Sequence, residues 1–357
     1  MTSLDRAVEL EISLQGGLLK ANYESLDAET GDRCKSLVIE YMRIRESVLG
    51  KDIAFIKQLT KVVRNILNSE PNSLDGLLEK YFKFSNEGIE TIRAGISGYR
   101  QNNLISLESH LLADAGDAAK ALFEKTQDIS WAERWYSAYK KSADMTIDTE
   151  PLHSAHAYGF AGEAAKAVFE KTHNIKWAKR WYDATKQSAD MTVNTEPLHS
   201  AHAYSFAGEA AKAVFEKTQD ISWAERWYSA YKKSADMTID TEPLHSAHAY
   251  GFAGEAAKAV FEKTHNIKWA KRWYDATKQS ADMTVNTEPL HSAHAYSFAG
   301  DAAKALSRAT RNPSWTQAAI DCYQQFLSYY KQHPNPRMDK VVNIIREDVN
   351  FLQRFIK

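Results

Sequence analysis

The chain has 357 residues, with 45 Lys and Arg against 46 Asp and Glu and a formal net charge of −1. That balance excludes a global field pulling the molecule toward nucleic acid or an anionic membrane surface. Cys34 and Cys322 stand far apart in the chain; this is neither a disulfide framework nor a metal-ligand spacing, and it fits a reducing compartment.

Taken from its first residue, the chain places Asp5, Glu9 and Glu11 where a secretory leader carries basic residues and then an apolar run. No window approaches the ~18 apolar residues of a membrane span, so a cytoplasmic chain without a membrane segment is expected. Helical spacing predicts helices near 4–22, 28–48 and 53–68, the last carrying Ile56, Leu59, Val62, Val63, Ile66 and Leu67. Shorter helices follow at 74–84 and 86–100, and another runs from Leu104 into Ala115. Residues 1–114 are read as a divergent helical cap region, since terminal units of an array shield its end.

From Ala115 the chain repeats itself. The segments 115–160, 161–206, 207–252 and 253–298 are copies or near-copies, 161–206 and 253–298 agree letter for letter, and a degraded fifth opens at Ala299, so the period is 161 − 115 = 46 residues. A period of this size marks a solenoid. Each unit predicts two helices. In the first, Pro151 takes the N1 position and Ala155, Tyr158, Gly162, Ala165 and Phe169 form a stripe of small residues flanked by aromatics. Glycine in mid-helix costs about 0.5–1 kcal/mol, and close approach of a neighbouring helix is the expected compensation.

The second helix opens at Asp128, Asn174 or Asn312, each an N-cap residue, and Pro313 at N1 supports that register. Its buried stripe is predicted as Trp177, Trp181, Ala184 and Met191, with Ala178, Tyr182 and Ala189 beside it. All nine tryptophans, Trp131 to Trp315, lie in the repeats, and core burial is expected of them. Residues 313–357 are read as the last repeat helix and a capping helix over 338–356, its apolar side formed by Val341, Ile344, Ile345, Val349, Leu352 and Phe355. Cys322 falls in a helical stripe and is expected in the core.

Alternate units differ in charge. Segment 161–206 carries 6 − 5 = +1 and 207–252 carries 5 − 7 = −2, and the pairs Ser130/Lys176, Glu133/Lys179, Ser137/Asp183 and Lys141/Gln187 lie on one face of the second helix. One reading has Glu133 facing Lys179 and Lys179 facing Glu225 across consecutive units; the other is a drifted surface on a duplicated pair.

The paired helices, the small Ala-Gly step and a proline opening each pair resemble the tetratricopeptide-repeat superfamily. The resemblance covers about 115–333 and is carried by Ala319-Ile320-Asp321-Cys322-Tyr323-Gln324-Gln325-Phe326-Leu327, Gly162, Ala178 and Tyr182. The period is longer than the family's and adds about three turns of helix or loop to each unit. A weaker resemblance links Ala164-Ala165-Lys166-Ala167-Val168-Phe169-Glu170-Lys171 and Trp181-Tyr182 to the half-a-tetratricopeptide repeats of RNA-processing factors.

The implied fold is all-α, a right-handed α-α superhelix of stacked antiparallel hairpins. The implied function is a non-enzymatic scaffold, monomeric or weakly self-associating, that binds a protein or peptide in a groove lined by the first helices. The groove residues on that reading are His156, Phe160, Glu163 and Lys166, then His202, Phe206, Glu209 and Lys212, then His248, Phe252, Glu255 and Lys258, then His294 and Phe298. Neighbouring Glu163 and Lys166 are expected to neutralise one another in part. The alternatives are an RNA-associated repeat protein and a self-assembling spacer.

No catalytic residue and no cofactor is assigned, because no nucleophile, dyad or phosphate-binding loop stands out and identical copies do not supply the unlike groups of an active site. The pairs His153/His156, His199/His202, His245/His248 and His291/His294 are one helical turn apart. A metal site needs further ligands, of which only Glu150 or Glu163 is near in sequence, so no metal is assigned and polar packing at the start of the first helix is expected. These eight histidines are also expected to make association or helical content respond between about pH 5 and pH 7.

Overall fold

A computed structural model describes residues 101–356, and the helices expected before residue 101 lie outside the described residues. The chain divides into two compact units, 1–173 and 174–357. In the first unit α1 (Gln101–Thr126) packs on α2 (Ile129–Thr146), and α2 on α3 (Pro151–Thr172). The second unit runs through α4 (Ile175–Thr192), α5 (Pro197–Thr218), α6 (Ile221–Thr238), α7 (Pro243–Thr264), α8 (Ile267–Thr284), α9 (Pro289–Thr310), α10 (Pro313–Gln332) and α11 (Asp339–Leu352), each packed on the next. All regular structure among the described residues is helical, and the expectation of an all-α array of stacked hairpins holds within each unit. The longer period goes into the helices, which have 22 and 18 residues in the repeats.

Local chemistry sets both connections. The link from first to second helix is two residues long. Gln219 takes the left-handed conformation at φ 57° and returns its N–H to Phe215 O at 2.7 Å, and Asp220 then caps α6 by accepting the Ser222 N–H at 3.0 Å. Asp128, Asn174, Asn266 and Asn312 cap their helices in the same way, as their residue types predict. At the other end, Thr238 O accepts the Glu242 N–H at 2.8 Å, and Pro243 opens α7. The Ser246 hydroxyl then donates to Ala235 O at 2.8 Å and pins the start of α7 to the end of α6. Ser200 and Ser292 make the equivalent bond.

Packing follows from the small-residue face. Ala207, Ala210 and Ala211 of α5 are fully enclosed, as are Ala253, Ala256 and Ala257 of α7. Into this space the second helices turn their large side chains: Trp177, Trp181, Trp223, Trp227, Trp269 and Trp273 are all buried. Each contributes on the order of 1.5–3 kcal/mol by area. Successive second helices meet edge to face through Tyr182–Trp223 at 5.2 Å, Tyr228–Trp269 at 5.2 Å and Tyr274–Trp315 at 5.0 Å.

Two expectations for these helices change. Met191 is only half-buried, and Ser188 and Thr192 occupy the buried positions beside it, the Ser188 hydroxyl meeting His199 Nε2 of α5 at 3.0 Å and the Thr192 hydroxyl donating to Ser188 O at 2.9 Å. Lys179 does not pair with Glu225; its Nζ lies 5.7 Å from the centre of the Trp223 ring, within reach of the attraction between a cation and an indole face.

In the capping region, Val342, Ile345, Val349 and Leu352 of α11 join Ile320, Tyr323, Phe326 and Tyr330 of α10 in one core cluster. The predicted apolar side is corrected here: Val341, Ile344 and Phe355 are exposed, together with Phe351 and Ile356. The helix proper ends at Leu352 and a 3-10 turn follows at Gln353–Phe355, which takes Phe355 off the helical stripe. No helix among the described residues is long and apolar enough to cross a membrane.

A Cβ added at Gly300 would lie 2.5 Å from Cδ1 and Cε1 of Tyr323, a fully buried ring whose hydroxyl donates to Asp301 at 2.7 Å. Overpacking of this kind costs about 1–3 kcal/mol, against about 1 kcal/mol gained in helix propensity. Gly300→Ala is therefore expected to lower the thermal midpoint followed by circular dichroism; an unchanged midpoint contradicts the close approach. Cys322 is buried, and burial pushes its thiol up to about 11. In the native protein it should resist iodoacetamide at mildly alkaline pH and become labelled only on unfolding, as peptide mass spectrometry will read.

Candidate functional site: a groove along the first helices

The residues expected to line a groove come together in the second unit. The buried stripe of each first helix turns its alanines toward the second helices, so the residues one helical step away, His202, Phe206 and Glu209 on α5 and His248, Phe252 and Glu255 on α7, face outward. One cleft of about 400 Å³ is lined by His202, Phe206, Glu209, His248 and Phe252. The next, of about 370 Å³, is lined by His248, Phe252, Glu255, His294 and Phe298. They share His248 and Phe252 and form a continuous row. The phenylalanines remain open to solvent, with Phe206 44%, Phe252 39% and Phe298 40% exposed. In the first unit, Phe160 is likewise 40% exposed and stacks obliquely on Tyr139, ring centres 4.9 Å apart.

The lysines behave differently from the expectation. Lys212 leaves the cleft lining, reaches Glu255 of the following first helix at 3.0 Å and lies 5.0 Å from the centre of the Trp227 ring. In the first unit Lys120 makes the same contact with Glu163 at 3.2 Å, and Lys166 turns to Glu170 at 3.9 Å. Lys258 sits 5.4 Å from both Trp273 and Phe298 and 3.7 Å from Glu262. The expected neutralisation of Glu163 by Lys166 is thus replaced by pairing between successive hairpins. In the last copy both contacts coexist: Lys304 lies 3.8 Å from Asp301, three positions before it, and 2.6 Å from Asp348 of α11.

Several lining residues were not singled out from the sequence. Tyr231 floors the first cleft and packs on Phe252 at 4.9 Å, whereas Thr277 holds the equivalent place in the second. Ser205, which the sequence already places on the groove face with His202 and Phe206, answers to Gly251 in the second cleft. Alternating units therefore build alternating clefts, one floored by a phenol and a hydroxyl, the other by a methyl-bearing threonine and a bare backbone. Position-by-position comparison of adjacent units contains that signal.

The histidines are grouped between hairpins. His202 Nε2 lies 2.9 Å from Glu242 Oε2, and its ring centre is 4.9 Å from that of His245. His248 Nε2 lies 2.6 Å from Glu288 Oε2, and its ring is 4.8 Å from His291. His245 Nε2 meets the hydroxyls of Ser234 at 2.9 Å and Ser205 at 3.3 Å, and His291 Nε2 meets Ser280 at 3.0 Å. Helical spacing set His245 beside His248; the packing instead sets His245 against His202, because successive first helices lie side by side.

Burial holds His245, His291 and His294 below the usual imidazole value of 6.5, and for His245 the neighbouring His202 adds to the effect. The expected response therefore moves to the acid side of that value. His294 Nε2 is 2.7 Å from the Tyr330 hydroxyl. The unfolded chain takes up a proton near 6.5 and the folded chain only lower, so stability is complete above 6.5 and is lost as pH falls through the folded value. His294→Gln should narrow the difference in thermal midpoint between about pH 7.5 and about pH 5. An equal difference in both proteins contradicts the assignment.

No protein-family model matches the chain, and no curated protein matches it. Among solved structures it is similar to BtubC (BKLC) from P. vanneervenii, at 12% identity and a TM-score of 0.37, covering 73% of this chain and 95% of that one. It is similar to a circular tandem repeat protein with novel repeat topology, at 9% identity and a TM-score of 0.31, covering 99% and 97%. A third is a signal transduction ATPase with numerous domains and a tetratricopeptide repeat sensor from Pyrococcus horikoshii, at 11% identity and a TM-score of 0.35, covering 96% of this chain and 53% of that one.

Proposed function

We propose that the chain is a non-enzymatic scaffold that binds an extended peptide or a protein segment along the row of clefts on its first helices. The observation that supports this most is the repeated, half-open phenylalanine at Phe206, Phe252 and Phe298, each bordering a cleft with a histidine and, at Phe206 and Phe252, a glutamate within reach. An aromatic left open at the same place in hairpin after hairpin is apolar area withheld from the core, and a partner side chain seated against it recovers that area. The imidazoles and carboxylates supply hydrogen bonds to an extended backbone, one set per hairpin.

An RNA-associated reading fits less well. The cleft linings contain Glu209 and Glu255 and no lysine or arginine, and Lys212 is tied to Glu255. The tryptophans that would stack bases are buried in the core.

The test is retention of an aromatic-anchored peptide library by the immobilised chain and by its Phe206→Ala, Phe252→Ala, Phe298→Ala triple variant, with helical content checked in both. Loss of retention by about 30-fold or more is expected, since an anchor of this kind is worth 2 kcal/mol or more. Equal retention, or binding to single-stranded RNA that falls steeply with salt, overturns the proposal.

A further inference from the structure

We propose that the junctions between successive hairpins are binding sites for a divalent transition-metal ion of the zinc class. Each would use the second histidine of one hairpin with the N-cap glutamate and the first histidine of the next. The proposal goes beyond the peptide reading and does not depend on it.

Three donors of the right kind converge at each junction. In His110/Glu150/His153, His202/Glu242/His245 and His248/Glu288/His291, one ligand atom from each residue lies within 4.8 Å of the other two. Zinc takes imidazole nitrogen at about 2.0–2.1 Å and carboxylate oxygen at about 2.0–2.2 Å, which places its ligands a little over 3 Å apart. The histidine–glutamate pairs stand at 2.9 Å and 2.6 Å and the third donor within 4.8 Å, so an ion asks the pair to open by a few tenths of an ångström and the third side chain to close in. Two imidazoles and one carboxylate form a set with an open fourth position. The histidines of the set line the clefts, His202, His245 and His248 the first and His248 and His291 the second.

The surroundings suit ligands better than packing residues. His245 Nε2 is engaged by Ser234 and Ser205, and His291 Nε2 by Ser280. With Nε2–H donated to a hydroxyl, the lone pair resides on Nδ1, and a ligating imidazole is oriented by such a bond through its other nitrogen. The glutamates are equally pointed. Glu242 and Glu288 occupy N-cap positions yet make no capping bond to their own helices; both carboxylates reach back to the preceding hairpin. The second helices, by contrast, are capped throughout by Asp or Asn side chains.

The experiment titrates zinc chloride into the metal-free full chain by calorimetry, with thermal melts in parallel and cobalt(II) as a spectroscopic probe. Binding of more than one equivalent, a raised thermal midpoint and a visible cobalt band of four-coordinate type are expected, because an ion that binds only the folded junction stabilises it. The Glu242→Gln, Glu288→Gln variant keeps the shape and a hydrogen bond to each histidine, and is expected to lose two of those equivalents. Ser234→Ala, which leaves all ligands in place, should weaken one site by about tenfold or more. Absence of heat and of a midpoint shift overturns the proposal. So does undiminished stoichiometry in the glutamate variant, or zinc uptake seen only with oligomers in sedimentation.

Discussion

The structure depends on how closely one helix can approach another when its contact face carries almost no side chain. Ala207, Gly208, Ala210 and Ala211 on α5, and their equivalents on α7 and α9, present a nearly smooth wall. The second helices meet that wall with Trp, Tyr and Thr. The approach is tight enough that a methyl group added at Gly208 would lie 2.5 Å from the Tyr231 ring, and one at Gly254 2.3 Å from Thr277. Dispersion and area burial are therefore supplied by one helix of each pair, and proximity by the other.

The first helix adds buried Tyr and Val to its alanines, Tyr204 and Val214 on α5 and Tyr250 and Val260 on α7, and Phe206, Phe252 and Phe298 stand half open over the clefts. The same geometry lines successive first helices up side by side, which brings Lys212 to Glu255 and His202 to Glu242. Tyrosines at the seam follow suit: Tyr204 donates to Asp190 at 2.5 Å and Tyr250 to Asp236 at 2.6 Å, and burial with the bonded carboxylate raises both phenols far above their usual range. The outer surface of the second helices carries instead the arginines laid on Trp223 and Trp269 at 4.3 Å.

Much of the groove was legible before any coordinates. His202, Phe206, Glu209, His248, Phe252, Glu255, His294 and Phe298 recur at one helical face, and they do line adjoining clefts. What escaped was every relation that crosses from one hairpin to the next. Lys212 was set with the charges of its own helix, yet its partner is 43 positions on. His245 was paired with His248, yet it packs with His202. Tyr231 and Thr277 were not singled out at all, yet each lines a cleft, because the first helix packed on them offers only a glycine there.

The amino-acid sequence alone determined the helices, their caps and their pairing, since these rest on periodicity, on Asp, Asn and Pro at defined positions, and on links of two residues too short to permit another neighbour. Within the repeats it also determined most of the buried face of each helix, as the aromatic and small-residue stripes are properties of single helices. The tertiary structure alone decided which ends of charged and aromatic side chains meet across the stack, and where the last helix turns its apolar residues. Those depend on the offset and rotation of one hairpin against the next. Such a rigid-body relation is the sum of many small packing contacts, and no local pattern along a chain encodes it.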